Sequence, residues 1–198
     1  MAVVVIGGQS RKVGKTSVVC GLIAALPERR WTAIKLTQHG HGESFTDFEA
    51  GIVLREEHDR SSCTDTSRYL AAGAEQAFWV RVRPGHLAEQ MPRLRDLIES
   101  AQNTILESNS LIEFLHPELA LCVLDPSAAD FKPSALRLLE RADALVVPEG
   151  ADLSAPWPGV RQPLLQRTRC FRFHPPLYCT EELVAYVAAH LSHAVART

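Results

Sequence analysis

The segment from Ala2 to Leu26 constrains the fold more than any other part of this chain. It starts with the β-branched run AVVVI, continues through the glycine-rich stretch GGQSRKVGKTS and ends in the helical pattern VVCGLIAAL. A strand, a glycine-rich turn and a helix in this order direct successive backbone N–H groups and a helix N-terminus at one anion. The segment therefore predicts a phosphate-binding loop between the first strand and the first helix of an α/β protein.

The GKT triplet of this loop fits phosphate and Mg²⁺ binding, because such a lysine reaches the outer phosphates and the threonine hydroxyl ligates Mg²⁺. Gly8 and Gly14 enclose five residues, one more than the usual motif. The alternative is a structural turn, but an unpaired Lys15 would then oppose the helix dipole by up to about 1 kcal/mol. The predicted nucleotide-binding residues of the loop are Gly8, Lys12, Val13, Gly14, Lys15, Thr16 and Ser17.

Short apolar runs alternate with helical patterns along the rest of the chain. The predicted strands after 2–6 are 31–36, 77–82, 103–107, 119–124, 144–148 and 170–173, and the predicted helices are 15–26, 86–101, 133–141 and 180–193. Thr180 is the expected N-cap of the last helix, and the Pro- and Gly-rich stretch 149–163 is predicted to be a long loop. This alternation predicts a doubly wound, mostly parallel sheet with helices on both faces, formed by one domain over residues 1–198.

Composition limits the classes of function. The 198 residues carry a net charge of −2, which provides no basic field for general nucleic-acid binding. The five cysteines are scattered without a CxxC pair, so a disulfide framework and a structural zinc site are not expected. The N-terminal apolar run lacks a basic region before it, and no apolar run approaches membrane-spanning length. We expect a cytoplasmic protein that binds neither nucleic acid nor membranes.

Three further motifs follow the phosphate loop: WTAIKLTQH at 31–39, TDTSRYLAAGA at 64–74 and ILES at 105–108. Their order and spacing resemble the MobB family, the nucleotide-binding adaptor of molybdopterin-guanine dinucleotide biosynthesis. The resemblance covers little more than the first half of the chain, and Gln38 stands where that family commonly has a second histidine. It implies a P-loop NTPase fold, bound ATP or GTP with Mg²⁺, and a molybdenum-cofactor enzyme as partner.

The five-residue glycine spacing instead resembles dethiobiotin synthetase, which phosphorylates an intermediate with ATP. Lys35 matches the lysine that ends the second strand of that enzyme, and Glu107 matches the acid at the end of a later strand. This resemblance implies a small-molecule acceptor. Relatives in both groups commonly dimerise across the site, which implies a homodimer. A degenerate scaffold that binds no nucleotide stays open as a third alternative.

Two acidic residues are candidate metal ligands together with Thr16. Glu107 ends a predicted strand, and Asp65 precedes a further predicted helix, TSRYLAAGA at 66–74. Acidic residues at the carboxyl ends of parallel strands face the crevice where ligands bind, and Mg²⁺ takes one or two carboxylates while it keeps several waters. The alternatives are a solvated strand end for Glu107 and an N-cap role for Asp65.

Two cations outside the loop are further candidates. Lys35 ends a buried strand, where an ammonium group needs an anionic partner, so a substrate or phosphate is expected there unless Asp47 or Glu49 pairs with it. Arg68 lies one turn into a predicted helix, and its planar guanidinium group is expected to contact a phosphate. The alternative is a surface arginine. The predicted catalytic residues are Lys15, Lys35 and Glu107.

The stretch HGHGESFTDFE at 39–49 groups His39, His41 and Glu43. Histidine and carboxylate side chains at such spacing are typical ligands of a transition metal, but nothing in the pattern defines a tetrahedral set. A polar substrate loop is the interpretation that we favour. His58 and Cys63 are weaker candidates to extend the group.

Overall fold

One eight-stranded sheet organises the part of the chain that the computed structural model describes, which is residues 1–38, 51–154 and 157–195. The strands are Ala2–Gly8 (β1), Trp31–Thr37 (β2), Ile52–Glu56 (β3), Gln76–Val82 (β4), Asn103–Glu107 (β5), Leu119–Val123 (β6), Ala144–Pro148 (β7) and Arg169–Phe173 (β8). Their order across the sheet is β3-β4-β2-β5-β1-β6-β7-β8. Every neighbouring pair is parallel except β3 and β4.

Six helices of the described residues connect these strands. They are Lys15–Ala25 (α1), Asp65–Ala71 (α2), Leu87–Glu99 (α3), Pro133–Leu139 (α4), Gln162–Arg167 (α5) and Glu181–Val195 (α6). Single turns of 3₁₀ helix lie at Pro27–Arg29 and Leu111–Glu113. No helix among the described residues has the length and apolar character needed to cross a membrane.

Helices cover both faces of the sheet, because its central strands are apolar on both sides. Along β1, Val4 and Ile6 pack in the core under α1, α2 and α6, whereas Val3 and Val5 pack in the core under α3, α4 and α5. Alternate residues of a strand point to opposite faces, so an uninterrupted apolar run fills two cores. The predicted doubly wound, mostly parallel α/β fold is confirmed.

Two elements were not predicted as such. The strand β3 pairs antiparallel at the sheet edge, and only Ile52 of its five residues is buried, so its sequence lacks the apolar run of a central strand. The helix α5 begins at Gln162, inside the last two residues of the predicted loop 149–163, and it has proline in its first turn. The predicted cap at Thr180 is confirmed, since the Leu183 N–H donates to Thr180 Oγ1 at 3.4 Å.

Candidate nucleotide-binding site

The loop between β1 and α1 leaves the start of α1 open to an anion. Gly14 precedes the helix with a left-handed φ of 102°, and among the described residues no side chain caps the helix and no acidic residue lies in its first turn. A Cβ on Gly14 would lie 2.8 Å from Tyr178 Cε1, and one on Gly8 would lie 2.5 Å from Val123 O. Glycine is therefore required at both positions, and the first N–H groups of α1 are oriented for anion binding.

The loop is fixed at its start by Asn109, which follows β5. The Gly8 N–H donates to Asn109 Oδ1 at 2.8 Å, and Asn109 Nδ2 donates to Gly8 O at 3.0 Å. This pair of hydrogen bonds joins the last residue of β1 to the segment after β5 on the neighbouring strand. The sequence analysis missed Asn109, because its contact is with a residue more than a hundred positions away.

Lys15 is the first residue of α1, and its side chain folds back over the phosphate loop. Its Nζ donates to Ser10 O at 2.5 Å, so the ammonium group already folds back over the residues that would surround a phosphate. Burial lowers the pKa of Lys15 more than the negative charge of Glu107 raises it, and the nearby cations Lys132 and Lys35 lower it further. A bound anion would relieve this repulsion, which fits the predicted phosphate role of Lys15.

Lys35 at the end of β2 joins two carboxylates. Its Nζ forms ion pairs with Asp65 Oδ2 and, at 3.0 Å, with Glu107 Oε1. The Lys35 and Glu107 side chains are 19% and 5% exposed. Burial alone would lower the pKa of Lys35, but the two carboxylates outweigh it and the pKa is raised. The proposed alternative partners Asp47 and Glu49 lie outside the described residues.

Glu107 also accepts two hydroxyl hydrogen bonds. Thr16 Oγ1 donates to Glu107 Oε2 at 2.8 Å, and the hydroxyl of Tyr69 donates to the same oxygen. Tyr69 is fully buried, and burial raises the pKa of its hydroxyl well above the usual range, so it stays a donor. The sequence analysis missed Tyr69. The sequence did offer one indication: Tyr69 follows Asp65 by four residues, so the two side chains lie on the same face of α2.

Asp65 is not the N-cap of α2, so the N-cap alternative to its predicted role as a metal ligand is excluded. Thr64 caps the helix: the Ser67 N–H donates to Thr64 Oγ1 at 3.0 Å, and the Thr64 N–H donates to Ser67 Oγ at 2.8 Å. These reciprocal bonds form a capping box. Asp65 is the first residue of the helix, so its carboxylate can pair with Lys35.

Arg68 extends from α2 towards the phosphate loop. Its Nη2 donates to Ser17 Oγ at 3.2 Å, and its Nη1 lies 3.7 Å from Asp65 Oδ1. The side chain is 39% exposed. Arg68 thus borders the start of α1 rather than extending away from the site, which favours the predicted phosphate contact over the surface alternative.

Most of the predicted residues line one cavity of about 700 Å³. Those that do are Gly8, Lys12, Gly14, Lys15, Thr16, Ser17, Lys35, Asp65, Arg68 and Glu107. Val13 does not line it, since its side chain is only 3% exposed and packs in the core beneath α1. Polar residues that the sequence analysis missed complete the lining, among them Asn109, Ser110, Lys132, Ser134 and Arg137.

The donor set fits a hard cation. The Thr16 hydroxyl and the carboxylates of Asp65 and Glu107 meet on one side of the cavity, and Mg²⁺ prefers such oxygen ligands. The candidate transition-metal group His39, His41 and Glu43 lies outside the described residues. Within the described residues, which include His58 and Cys63, no three His, Cys, Asp or Glu side chains are grouped to hold a metal.

Comparisons with known proteins add little to this geometry. No family model matches the chain, and no curated protein matches it. Among solved structures, the chain is similar to the "apo" form of LpxK from Aquifex aeolicus in complex with ATP, with 19% identity and a TM-score of 0.47. The match covers 87% of this chain and 53% of the other, so this chain spans about half the length of that protein. A likeness this distant supports no conclusion about this chain, and the MobB and dethiobiotin synthetase resemblances stay predictions.

The Lys35 ion pairs give the first testable prediction. Replacing Lys35 by methionine, which keeps an unbranched chain, is expected to lower the free energy of unfolding by about 3 kcal/mol at neutral pH. The reason is that Glu107, at 5% exposure, would stay buried without its counter-ion. Urea unfolding measures the change. The double variant Lys35→Met, Glu107→Gln should be more stable than Lys35→Met alone, and a double variant that is less stable would contradict the prediction.

Asp65 gives a prediction for pH dependence. Burial acts to raise the pKa of Asp65, but the ion pair with Lys35 outweighs burial and the pKa is lowered. A carboxyl group with a lowered pKa stabilises the fold above its unfolded pKa of about 3.9, and this stabilisation is lost as the pH falls through the folded value. The stability difference between wild type and Asp65→Asn should therefore be constant above about pH 5 and shrink below about pH 4. Urea unfolding of both proteins across this pH range tests the prediction. A stability difference that does not change with pH would exclude the ion pair with Lys35 as the source of that difference.

Proposed function

We propose that the protein binds ATP or GTP together with Mg²⁺ at the phosphate loop and transfers the terminal phosphate to water or to a small-molecule acceptor. One observation carries the proposal. The uncapped start of α1, with Lys15 folded over the loop, lies in the same cavity as the cluster of Lys35, Asp65 and Glu107. Phosphate binding and cation binding thus have adjacent sites in one cavity.

The phosphate loop supports the nucleotide part of the proposal. Backbone N–H groups at the start of α1 and the positive end of its dipole favour negative charge. Lys15 adds a mobile point charge that reaches outer phosphates. The glycines at positions 8 and 14 let the backbone of the loop pack closely against Val123 O and Tyr178, which maintains the conformation of the loop.

The carboxylates support the metal part. Thr16, Asp65 and Glu107 would hold Mg²⁺, directly or through water. When bound, Mg²⁺ would neutralise part of the negative charge of the phosphates. The chain itself orients Glu107, through the hydroxyl of Tyr69 and the ammonium group of Lys35.

Transfer of the terminal phosphate needs positioning and charge neutralisation more than covalent chemistry. Lys15, Lys35 and Arg68 all line the cavity, so three cations are available to stabilise charge on the transferred group. The bond from the terminal phosphorus to its bridging oxygen breaks, and a bond to the oxygen of water or the acceptor forms. In this proposal Lys15 and Lys35 would stabilise charge on the transferred group, and Glu107 would hold Mg²⁺ directly or through water.

Two biological settings follow from the motifs. The MobB resemblance favours a cytoplasmic, dimeric adaptor that hydrolyses nucleotide slowly while bound to a molybdenum-cofactor enzyme. The dethiobiotin synthetase resemblance favours phosphorylation of a small molecule. The lining of the cavity supports the second setting, because polar residues beyond the phosphate loop, including Thr37, Gln38 and Ser110, are available to contact an acceptor.

Binding of fluorescent ATP and GTP analogues, with and without Mg²⁺, tests the proposal. Wild type should bind one of them in a Mg²⁺-dependent manner, and Lys15→Ala should weaken binding roughly ten- to a hundredfold, the range of one charge-assisted hydrogen bond. Arg93→Ala is the matched control, since it also removes a cation but lies exposed on α3, outside the cavity. If wild type and Lys15→Ala bind a nucleotide equally well, the phosphate role of Lys15 is wrong. If neither nucleotide binds to wild type, the chain is a degenerate scaffold.

Phosphate release separates the two settings. Turnover that rises only when a particular small molecule is added would identify an acceptor. Slow turnover that no acceptor changes, together with a stable complex with a molybdenum-cofactor enzyme, would identify the adaptor.

A further inference from the structure

The lysines of this chain are concentrated at one site. The sequence contains four lysines and seventeen arginines. All four lysines, which are Lys12, Lys15, Lys35 and Lys132, line the cavity described above. Arginine supplies the other surface ion pairs, such as those of Arg30 with Glu75 and Arg169 with Glu182. An ammonium group is a compact point charge that can approach a phosphate from many directions, so this distribution indicates that Lys132 belongs to the anion site.

Lys132 reaches the cavity from the side opposite Lys35. Lys35 lies near the carboxyl end of β2, whereas Lys132 follows β6 and directly precedes α4. In the sheet these two strands lie on opposite sides of β1, which leads into the phosphate loop. An anion at the loop would therefore lie between a lysine from each side.

The segment that carries Lys132 is fastened to the phosphate loop through Gln9, which is fully buried. Gln9 Nε2 donates to Asp125 O at 2.8 Å and to Ala128 O at 2.9 Å, and the Asp125 N–H donates to Gln9 Oε1 at 2.6 Å. The Lys132 N–H donates to Gln9 O at 2.9 Å. Because a residue of the phosphate loop makes all four bonds, Lys132 keeps a defined position relative to a phosphate bound there.

The charges around Lys132 also favour an anion. Lys132 is half-buried, and burial together with nearby Arg11 lowers its pKa against the opposing effect of Asp130. Lys132 in turn lowers the pKa of Lys15. The two lysines are therefore close enough to repel each other, and a group of negative charge between them would stabilise both.

We propose that Lys132 binds the outermost phosphate of the nucleotide together with Lys15 and makes the site prefer a triphosphate over a diphosphate. In such loops the backbone surrounds the inner phosphates while the lysine reaches the outer ones. Lys132 lines the same cavity as Lys15, and its N–H is bonded to Gln9 O in the phosphate loop, so its ammonium group is placed to join Lys15 at the outer phosphates. This inference rests on the proposed nucleotide binding.

Titration calorimetry with Mg²⁺ and the tri- and diphosphate of the preferred base tests the role of Lys132. Lys132→Met keeps the length of the half-buried chain and removes its charge. It should weaken triphosphate binding about tenfold or more, the range of one charge-assisted hydrogen bond, and diphosphate binding about twofold or less. Lys132→Arg should retain part of the preference, because it keeps the cation. Arg93→Met, an exposed site outside the cavity, controls for net charge.

The outcomes separate this inference from the proposed function. If wild type binds the triphosphate and Lys132→Met binds it equally well, or loses both nucleotides equally, the role of Lys132 is overturned while nucleotide binding stands. If wild type binds neither nucleotide, both proposals fail. Thermal unfolding of each variant shows whether a loss of binding reflects a loss of folding, and Lys132→Arg keeps the test decisive if Lys132→Met is unfolded.

Discussion

The ion pairs of Lys35 with Asp65 and Glu107 are the interaction on which the candidate site depends. They bring together the ends of β2 and β5 and the start of α2, three elements that are distant in sequence. A carboxylate as buried as Glu107 needs compensation by charge and hydrogen bonds, which Lys35, Thr16 and Tyr69 supply. This cluster keeps negative charge beside the loop that we propose binds phosphate, and the proposed metal–nucleotide complex needs both.

The sequence predicted those parts of the fold and of the site that a short, contiguous stretch of residues specifies. The segment from β1 through the phosphate loop to α1 is contiguous, and its glycine spacing and apolar runs specify it without reference to the rest of the chain. The ends of β2 and β5 were also predictable, because a polar residue after a buried apolar run marks the carboxyl edge of a parallel sheet. Lys35 and Glu107 meet there for that reason.

The remaining features depend on contacts that no local pattern encodes. Gln9 and Asn109 fix the phosphate loop through partners that lie more than a hundred positions away, so only the strand order brings them together. Val13 was predicted to bind nucleotide because it lies inside the motif, but its side chain packs in the core. The N-cap alternative for Asp65 stayed open in the sequence because Thr64 and Asp65 are both good capping residues, and backbone geometry decides between them.

The most direct test of the account is whether the two carboxylates hold the metal that accompanies the nucleotide. Affinity for a non-hydrolysable triphosphate would be measured with and without Mg²⁺, in wild type and in the double variant Asp65→Asn, Glu107→Gln. We predict that Mg²⁺ strengthens binding about tenfold or more in wild type and has little effect in the variant. An equal effect of Mg²⁺ in both proteins would contradict the account.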